Sequence, residues 1–117
     1  MIRGLSASQL QEMVKEKNEK DYLIVDVRQS EEYRLDHVPG SVNVPLEQIR
    51  FDPYQFDLKR ILVFCCRRGV RSKVAALFTA DAGHDENLLY HLEEGLETYS
   101  GEILLDVPRV DRFIQDA

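Results

Sequence analysis

The chain has 117 residues, of which 44% are hydrophobic and 31% charged, and its formal net charge is −6. This length suits one domain with one hydrophobic core, and the composition is that of a globular protein rather than a disordered or membrane-embedded one. A net negative charge argues against a nucleic acid partner, and the longest apolar run, residues 61–66, is too short to span a bilayer. We therefore expect no nucleic acid and no membrane among its partners.

The positions of the two cysteines indicate the redox state of the cellular compartment. Cys65 and Cys66 are neighbours in the sequence, so a disulfide between them could not link distant segments. No apolar stretch typical of a signal peptide follows Met1. Both observations favour a reducing compartment, and we expect the cytoplasm. No spacing of cysteine and histidine is typical of a zinc site, so we expect no metal and no cofactor.

The predicted scaffold alternates helices and strands. A capping-box pattern from Ser6 to Gln9, or in the alternative register from Ser8 to Gln11, predicts a helix start, and Leu10 and Val14 share the apolar face of that helix. Three histidines have no partner at a suggestive spacing, so we expect a structural role for His37 and surface or capping positions for His84 and His91. Local patterns further predict a helix at residues 30–35, a turn at 37–40, a strand at 42–44, a helix opened by Pro45, and a strand at 87–90.

A short apolar run at residues 22–25 predicts a central strand that ends at Asp26. Binding sites in open α/β sheets form beyond the carboxyl ends of the strands, which is the level at which Asp26 lies. Two roles are open for Asp26: an ion pair with Arg71 that fixes a later loop, or a cap on the helix that follows. Arg28 lies four residues before Glu32, and these two can pair on a helix surface.

The most informative stretch begins with a second apolar run, residues 61–64, which predicts a buried strand that stops at Cys65 and Cys66. Apolar residues then recur at helical spacing after Ser72, and Gly83 is expected to end that helix. The chain therefore runs from strand to tight loop to helix, with a thiol at the top of the strand.

This geometry has chemical consequences for Cys66. A loop that leads into a helix points several backbone N–H groups at one position, and a sulfur inside that ring of donors is easier to ionise. The thiolate is the nucleophilic form of cysteine. Gly69 permits the unusual backbone angles that such a loop needs. The alternative is a buried cysteine that packs as a small apolar residue, followed by a solvated basic turn.

Charge is unevenly distributed along the chain. Residues 58–80 contain no Asp or Glu and hold six cationic side chains, namely Lys59, Arg60, Arg67, Arg68, Arg71 and Lys73. A basic segment in an acidic protein should attract small anions to its loop. The alternative is a basic face whose only partner is water.

Three stretches resemble the rhodanese family. Cys66-Arg67-Arg68-Gly69-Val70-Arg71-Ser72 is similar to the family's active-site loop, Cys-x-x-Gly-x-Arg-Ser/Ala. Asp26-Val27-Arg28, with Glu32-Tyr33 behind it, is similar to the family's Asp-Val-Arg…Glu-Tyr segment. The stretch from His37 to Pro45 resembles His-Ile-Pro-Gly-Ala-x-Asn-Ile-Pro. The chain departs from the family pattern in three places: Asp36 and Glu94 each stand where the family commonly has Gly, and Tyr99 where it has Trp.

The resemblance implies an α/β fold, with a mainly parallel central sheet flanked by helices on both faces. It implies a rhodanese-like domain at residues 1–100. Residues 101–117 would form a C-terminal extension, which we expect to be helical and docked on the domain or on a partner subunit.

The resemblance also implies a function, which is transfer of a sulfane sulfur through a persulfide on Cys66. The donor would be thiosulfate or a similar small anion, and the acceptor a thiol, of a small molecule or a protein, or cyanide. Arg67 and Arg68 would bind the donor. Gly69, Val70, Arg71 and Ser72 would complete the anion-binding loop, supported by Asp26 and Arg28.

Two alternatives to sulfur transfer stay open. One is a rhodanese-like module that binds or senses without turnover. The other is arsenate reductase or phosphatase chemistry, since related enzymes place a cysteine before an anion-binding loop that ends in arginine. Those phosphatases have five residues between the cysteine and the arginine, whereas four separate Cys66 from Arg71.

Overall fold

The computed structural model describes residues 1–16, 21–101 and 103. The predicted extension at residues 101–117 lies outside these residues except for Gly101 and Ile103, so its helix stays a prediction. The strands are β1 (Arg3–Leu5), β2 (Tyr22–Asp26), β3 (Val42–Asn43), β4 (Ile61–Cys65) and β5 (Leu89–Leu92). The helices are α1 (Ala7–Glu16), α2 (Ser30–Leu35), α3 (Leu46–Phe51) and α4 (Val70–Asp81), with 3₁₀ turns at Glu86–Leu88 and Leu96–Thr98. None of the helices in the described part of the chain is long and apolar enough to cross a bilayer.

The five strands form one sheet in the order β1-β5-β4-β2-β3, and every pairing is parallel. The α/β class and the parallel sheet are thus confirmed. Sequence patterns missed β1, because a strand of three residues with one buried side chain has no detectable periodicity. The fifth strand starts two residues later than predicted, since the Asp85 side chain accepts a hydrogen bond from the backbone N–H of Asn87 (2.9 Å) and caps a 3₁₀ turn there.

Both faces of the sheet are covered, as expected. Helix α1 packs on one face, where the buried cluster includes Leu10, Val14, Ile24, Val63, Cys65 and Leu92. Helices α3 and α4 cover the other face, where the cluster includes Ile49, Leu62, Phe64, Cys66, Ala75 and Ala76. Successive residues of β4 alternate between the two clusters, and four of its five side chains are fully buried. Burial of each such apolar side chain stabilises the fold by roughly 1.5–3 kcal/mol. The loop that follows β4 therefore begins at a stably packed strand.

Side-chain caps form the starts of α1 and α2. At α1, the backbone N–H of Ser6 donates to Gln9 (2.9 Å), and the backbone N–H of Gln9 donates to the Ser6 hydroxyl (3.2 Å). At α2, Gln29 and Glu32 form the same reciprocal pattern. The α2 cap fixes Glu32, which matters for the site described below.

Beyond the end of β2 lies a buried ion pair. Asp26 and Arg28 are 0% and 2% exposed, and the Arg28 guanidinium donates to both carboxylate oxygens of Asp26 at 2.8–3.1 Å. The same guanidinium also donates to the side chain (3.2 Å) and the carbonyl (2.6 Å) of Asp36. This network ties the turn after α2 to the carboxyl edge of the sheet.

This pair corrects two expectations from the sequence. Asp26 does not pair with Arg71, and Arg28 does not pair with Glu32. Asp26 and Arg28 are two residues apart in extended chain, so their side chains lie on the same side of the sheet and meet directly. Their role as loop-supporting residues stays a prediction.

Removal of either member of this pair should destabilise the protein strongly. Asp26→Ala or Arg28→Ala leaves a buried charge without its partner, which should lower the free energy of unfolding by about 3–5 kcal/mol. Thermal denaturation followed by circular dichroism measures the change. Arg50→Ala is the matched control, because Arg50 contacts Glu47 only at 3.7 Å on the exposed surface and should have almost no effect. If Arg28→Ala and Arg50→Ala have the same melting temperature, the buried pair does not stabilise the fold.

Candidate active site

The two cysteines lie on opposite faces of the sheet. Cys65 ends β4 and belongs to the cluster under α1, while Cys66 belongs to the cluster under α3 and α4. Burial, together with the nearby charge of Asp26, raises the pKa of the Cys65 thiol well above its ordinary value. Cys65 is therefore a protonated core residue at neutral pH. Cys66 is also 1% exposed, but it lies at the base of a cavity that opens to solvent.

Backbone N–H groups surround the sulfur of Cys66. The Sγ atom accepts hydrogen bonds from the backbone N–H of Gly69 (3.1 Å) and of Ser72 (3.3 Å). Ser72 lies in the first turn of α4, where backbone N–H groups have no partner within the helix. Donors of this kind stabilise a negative charge on the atom they contact. The backbone N–H groups around the sulfur therefore form a site that favours a bound anion.

The shape of the loop depends on Gly69. Its φ angle is 92°, in the left-handed region, and a Cβ at this position would come within 2.0 Å of the Glu93 carbonyl oxygen. The fully buried Ser72 hydroxyl donates to the Gly69 carbonyl at 3.0 Å and closes the loop. Gly69 and Ser72 thus contact the sulfur through their backbone N–H groups, while the Ser72 hydroxyl stabilises the shape of the loop.

A second loop supports the first, and sequence patterns missed this contact. The backbone N–H of Leu96 donates to the Cys66 carbonyl (2.8 Å), and that of Glu97 donates to the Arg67 carbonyl (3.0 Å). Gly95 has φ 78°, and a Cβ there would lie 2.1 Å from the Arg67 carbonyl oxygen. Position 95 requires glycine because two backbones meet at this point. In the sequence, the signal for this contact was Gly95 itself, shortly after the last predicted strand.

The cavity above the sulfur has a volume of about 300 Å³ and is lined by Cys66, Arg67, Arg68, Val70 and Arg71. Arg67 and Arg68 are exposed, and Arg68 contacts Glu97 only at 3.6 Å. Arg67 forms no ion pair with any residue that the structure describes. The loop residues predicted from the sequence are therefore brought together, with two arginines at the rim that can bind an anion. Asp26 and Arg28 lie outside the cavity lining.

Arg71 forms an ion pair with Glu32. The sequence predicted Arg28 as the partner of Glu32. The Arg71 guanidinium donates to both carboxylate oxygens of Glu32, at 2.8 and 3.2 Å, and both side chains are about one third exposed. The hydrogen bond from Arg71 is the main cause that lowers the pKa of Glu32, although partial burial acts in the opposite direction. The backbone N–H of Gln29 also donates to Glu32 (3.1 Å). The start of α4 is thus tied to α2.

None of the three histidines lines the thiol cavity. His37 is buried, stacks on Tyr33 with 3.9 Å between the ring centres, and has Nδ1 2.9 Å from the Tyr33 carbonyl oxygen. His84 and His91 are buried too, so the surface positions predicted for them are wrong. The capping alternative holds for His84, whose backbone N–H donates to the Thr79 carbonyl (3.3 Å) at the end of α4. His84 Nε2 lies 2.8 Å from the Arg60 carbonyl oxygen, which fixes the end of α4 near the start of β4. In the sequence, His84 follows Gly83 and His91 lies within a strand, and neither pattern predicts that the histidine is buried.

Comparison with known proteins agrees with the geometry. A sequence profile of the rhodanese-like domain matches residues 6–102. The chain belongs to the rhodanese-like domain family. Thiosulfate sulfurtransferase GlpE of Shewanella oneidensis is 30% identical to it over 98 residues, which is 84% of this chain and 92% of that protein.

Two further relatives show the range of this family. A tRNA uridine(34) hydroxylase of Yersinia pestis is 28% identical over 102 residues, which is 82% of this chain but 27% of that protein. The crystal structure of a rhodanese homologue from Thermus thermophilus superposes with a TM-score of 0.62 at 31% identity, covering 81% of this chain and 98% of that chain. Rhodanese-like domains thus occur in proteins with different named activities.

The ion pair between Glu32 and Arg71 should be measurable by a double-mutant cycle. Glu32→Gln, Arg71→Ala and the double variant should give a coupling free energy of about 1 kcal/mol at neutral pH, in line with a bidentate pair that is partly exposed. Because the pKa of Glu32 is lowered in the folded protein, this coupling is complete above the unfolded value of about pH 4.3 and is lost as the pH falls below it. Denaturant unfolding at several pH values tests both statements. No coupling at neutral pH, or coupling that persists in strong acid, would contradict the pairing.

Proposed function

We propose that this rhodanese-like domain is a sulfurtransferase, which moves a sulfane sulfur from thiosulfate or a similar anion to a thiol or cyanide through a persulfide on Cys66. One observation carries the proposal: the Cys66 sulfur accepts hydrogen bonds from Gly69 and Ser72 beneath a cavity with arginines at its rim. The similarity to a thiosulfate sulfurtransferase over 92% of that protein supports it.

The first half of the reaction loads the cysteine. The Cys66 thiolate attacks the outer sulfur of thiosulfate, the sulfur–sulfur bond of the donor breaks, and sulfite leaves with the bonding electron pair. Cys66 now carries one additional sulfur atom, and the total charge is unchanged. Arg67 and Arg68 would hold the sulfonate oxygens of the donor and then the departing sulfite, since guanidinium groups bind such oxygens in pairs.

The loop would then hold the persulfide. Its outer sulfur carries the negative charge and would lie near the N-terminus of α4, where the helix dipole and unpartnered backbone N–H groups favour an anion. In the second half, an acceptor thiolate or cyanide attacks that outer sulfur, and Cys66 leaves as the thiolate. Splitting the transfer into two displacements is ordinary nucleophilic catalysis.

The state of Arg71 favours sulfur over phosphate as the group transferred. In the related phosphatases the arginine ends an anion-binding loop that has one more residue. Here both terminal nitrogens of Arg71 already bind Glu32, at 2.8 and 3.2 Å. A persulfide needs less room and fewer ligands than a phosphate, which fits the shorter loop.

The same chemistry favours a reducing cellular compartment. Both cysteines are free and buried, and a persulfide cycle needs a thiol that stays reduced between turnovers. The cytoplasm, where thiols are kept reduced, is therefore part of this proposal.

Intact-mass spectrometry after incubation with thiosulfate tests the proposed function. The wild-type protein should gain the mass of one sulfur atom, and cyanide should remove it, because the persulfide is a covalent intermediate. Cys66→Ser should show no gain, while Cys65→Ala should load like wild type since Cys65 lies on the other face of the sheet. Equal loss of loading in the two variants would contradict the assignment of Cys66 as nucleophile. A wild-type protein that stays unloaded would favour the binding module.

Arg67 and Arg68 should act on donor binding and not on stability. Arg67→Ala and Arg68→Ala should each raise the KM for thiosulfate by roughly ten- to a hundredfold, since each removes a charge-assisted contact of about 1.5–3 kcal/mol. Their melting temperatures should match wild type because both side chains are exposed. Steady-state kinetics with varied thiosulfate measures the effect, with Arg50→Ala as the control for lost surface charge. An unchanged KM in both variants would mean that neither arginine meets the donor.

A further inference from the structure

A groove runs along α4 beside the cysteine cavity. Its volume is about 400 Å³, and it shares Arg68 and Val70 with the cavity above Cys66. The wall formed by α4 extends from Val70 to Leu77, which is about 10 Å along a helix. A molecule bound in this groove would therefore also reach the opening above the thiol.

Apolar side chains are exposed on this side of α4. Val70 is 71% exposed and Leu77 is 51% exposed, and Val74 lies between them on the groove wall. Spacings of four and three residues place the three side chains in one stripe along the helix. A contiguous exposed apolar surface with a polar border is typical of a protein contact site.

Positive charge borders this apolar stripe. Arg68 and Lys73 line the groove and are exposed, and residues 67–80 contain no Asp or Glu. Across the groove, Glu93 is the acidic side chain among the described residues that line it. The border of the stripe thus has two cationic side chains to one acidic one, with Arg68 also in contact with Glu97 at 3.6 Å, on a chain whose net charge is −6. Such a surface is complementary to an acidic partner.

We propose that this face of α4 docks an acidic protein that accepts the sulfur, one with carboxylates and an apolar side chain next to its own cysteine. This deepens the proposed sulfurtransferase function and rests on it. The acceptor thiolate attacks the outer sulfur of the Cys66 persulfide, the sulfur–sulfur bond breaks, and Cys66 leaves with the electron pair. One sulfur atom moves to the acceptor, and no external oxidant or reductant is consumed.

A protein fits this surface better than a small thiol or a second copy of the chain. A small thiol needs only the cavity above Cys66, whereas the stripe continues to Leu77, about two helical turns away. In a two-fold dimer the same patch of both copies meets, so Arg68 and Lys73 of one copy would face Arg68 and Lys73 of the other and repel them. An acidic partner gains from both the apolar stripe and its cationic border.

Peptide binding tests the surface without any sulfur chemistry. Two fluorescent peptides carry leucine beside a serine that replaces the acceptor cysteine, and they differ only in flanking glutamates or lysines. By anisotropy, wild type should bind the glutamate peptide, and more weakly as salt is added. Lys73→Glu should weaken that binding about tenfold and strengthen binding of the lysine peptide, since it reverses the charge complementarity. Leu77→Ser should also weaken binding of the glutamate peptide.

Two matched variants serve as controls. Lys59→Glu and Leu58→Ser change exposed residues just before β4, at the opposite edge of the sheet, and should bind both peptides like wild type. Melting by circular dichroism should be unchanged in all four variants. Equal binding of the two peptides, or no charge reversal in Lys73→Glu, would overturn the proposal. So would a dimer in sedimentation that Leu77→Ser dissociates, because the stripe would then serve a second copy.

Single-turnover transfer tests the link to the reaction. Protein preloaded with persulfide is mixed with the cysteine form of the glutamate peptide or with β-mercaptoethanol, and the loss of one sulfur is followed by mass. Lys73→Glu and Leu77→Ser should slow transfer to the peptide by about fivefold and leave transfer to the small neutral thiol unchanged. Equal slowing with both acceptors would overturn the docking role. A protein that never loads sulfur contradicts the sulfurtransferase function, whereas the anisotropy result still decides whether the surface binds an acidic partner.

Discussion

Side chains of β4 alternate between two faces of a parallel sheet, and helices cover both faces. The strand therefore has to bury Cys65 in the cluster under α1 and direct Cys66 toward α4. Burial keeps Cys65 as a protonated core thiol. The sulfur of Cys66 comes to lie where the chain turns into α4 and where two backbone N–H groups converge on it. The different environments of these neighbouring residues follow from this alternation.

Backbone contacts hold the site more than side-chain contacts do. Gly69 places its N–H on the sulfur only because its φ angle is 92°, and Gly95 lets the loop after β5 donate to the Cys66 carbonyl through the next residue, Leu96. Both glycines lie where a Cβ would collide with backbone of the opposite loop. The side chains at the rim, above all Arg67 and Arg68, are then exposed and free to meet solutes. A rigid backbone cradle with a cationic rim suits a site that repeatedly binds and releases small anions.

The sequence predicted the strands and helices whose patterns are long or strongly capped. The buried runs of β2 and β4 were found, since burial on both faces leaves continuous apolar runs. Helix α4 was also found, although it begins at Val70 and not after Ser72. Partner choice among charged residues was not predictable. Asp26, Arg28, Glu32 and Arg71 allow several pairings by spacing, and the fold selects two of them through which side chains share a face. The burial of His84 and His91 depends on neighbours distant in sequence, so local patterns carry no sign of it.

Site-resolved alkylation of the native protein tests most directly whether Cys66 is accessible to a reagent while Cys65 is enclosed in the core. Folded protein is treated with iodoacetamide for increasing times, quenched, digested, and each cysteine is quantified by peptide mass. Cys66 should be modified in the native state through the cavity above it, and Cys65 only after unfolding, because it is enclosed under α1 and protonated. Modification of both cysteines at one rate, or of Cys65 first, would contradict the account.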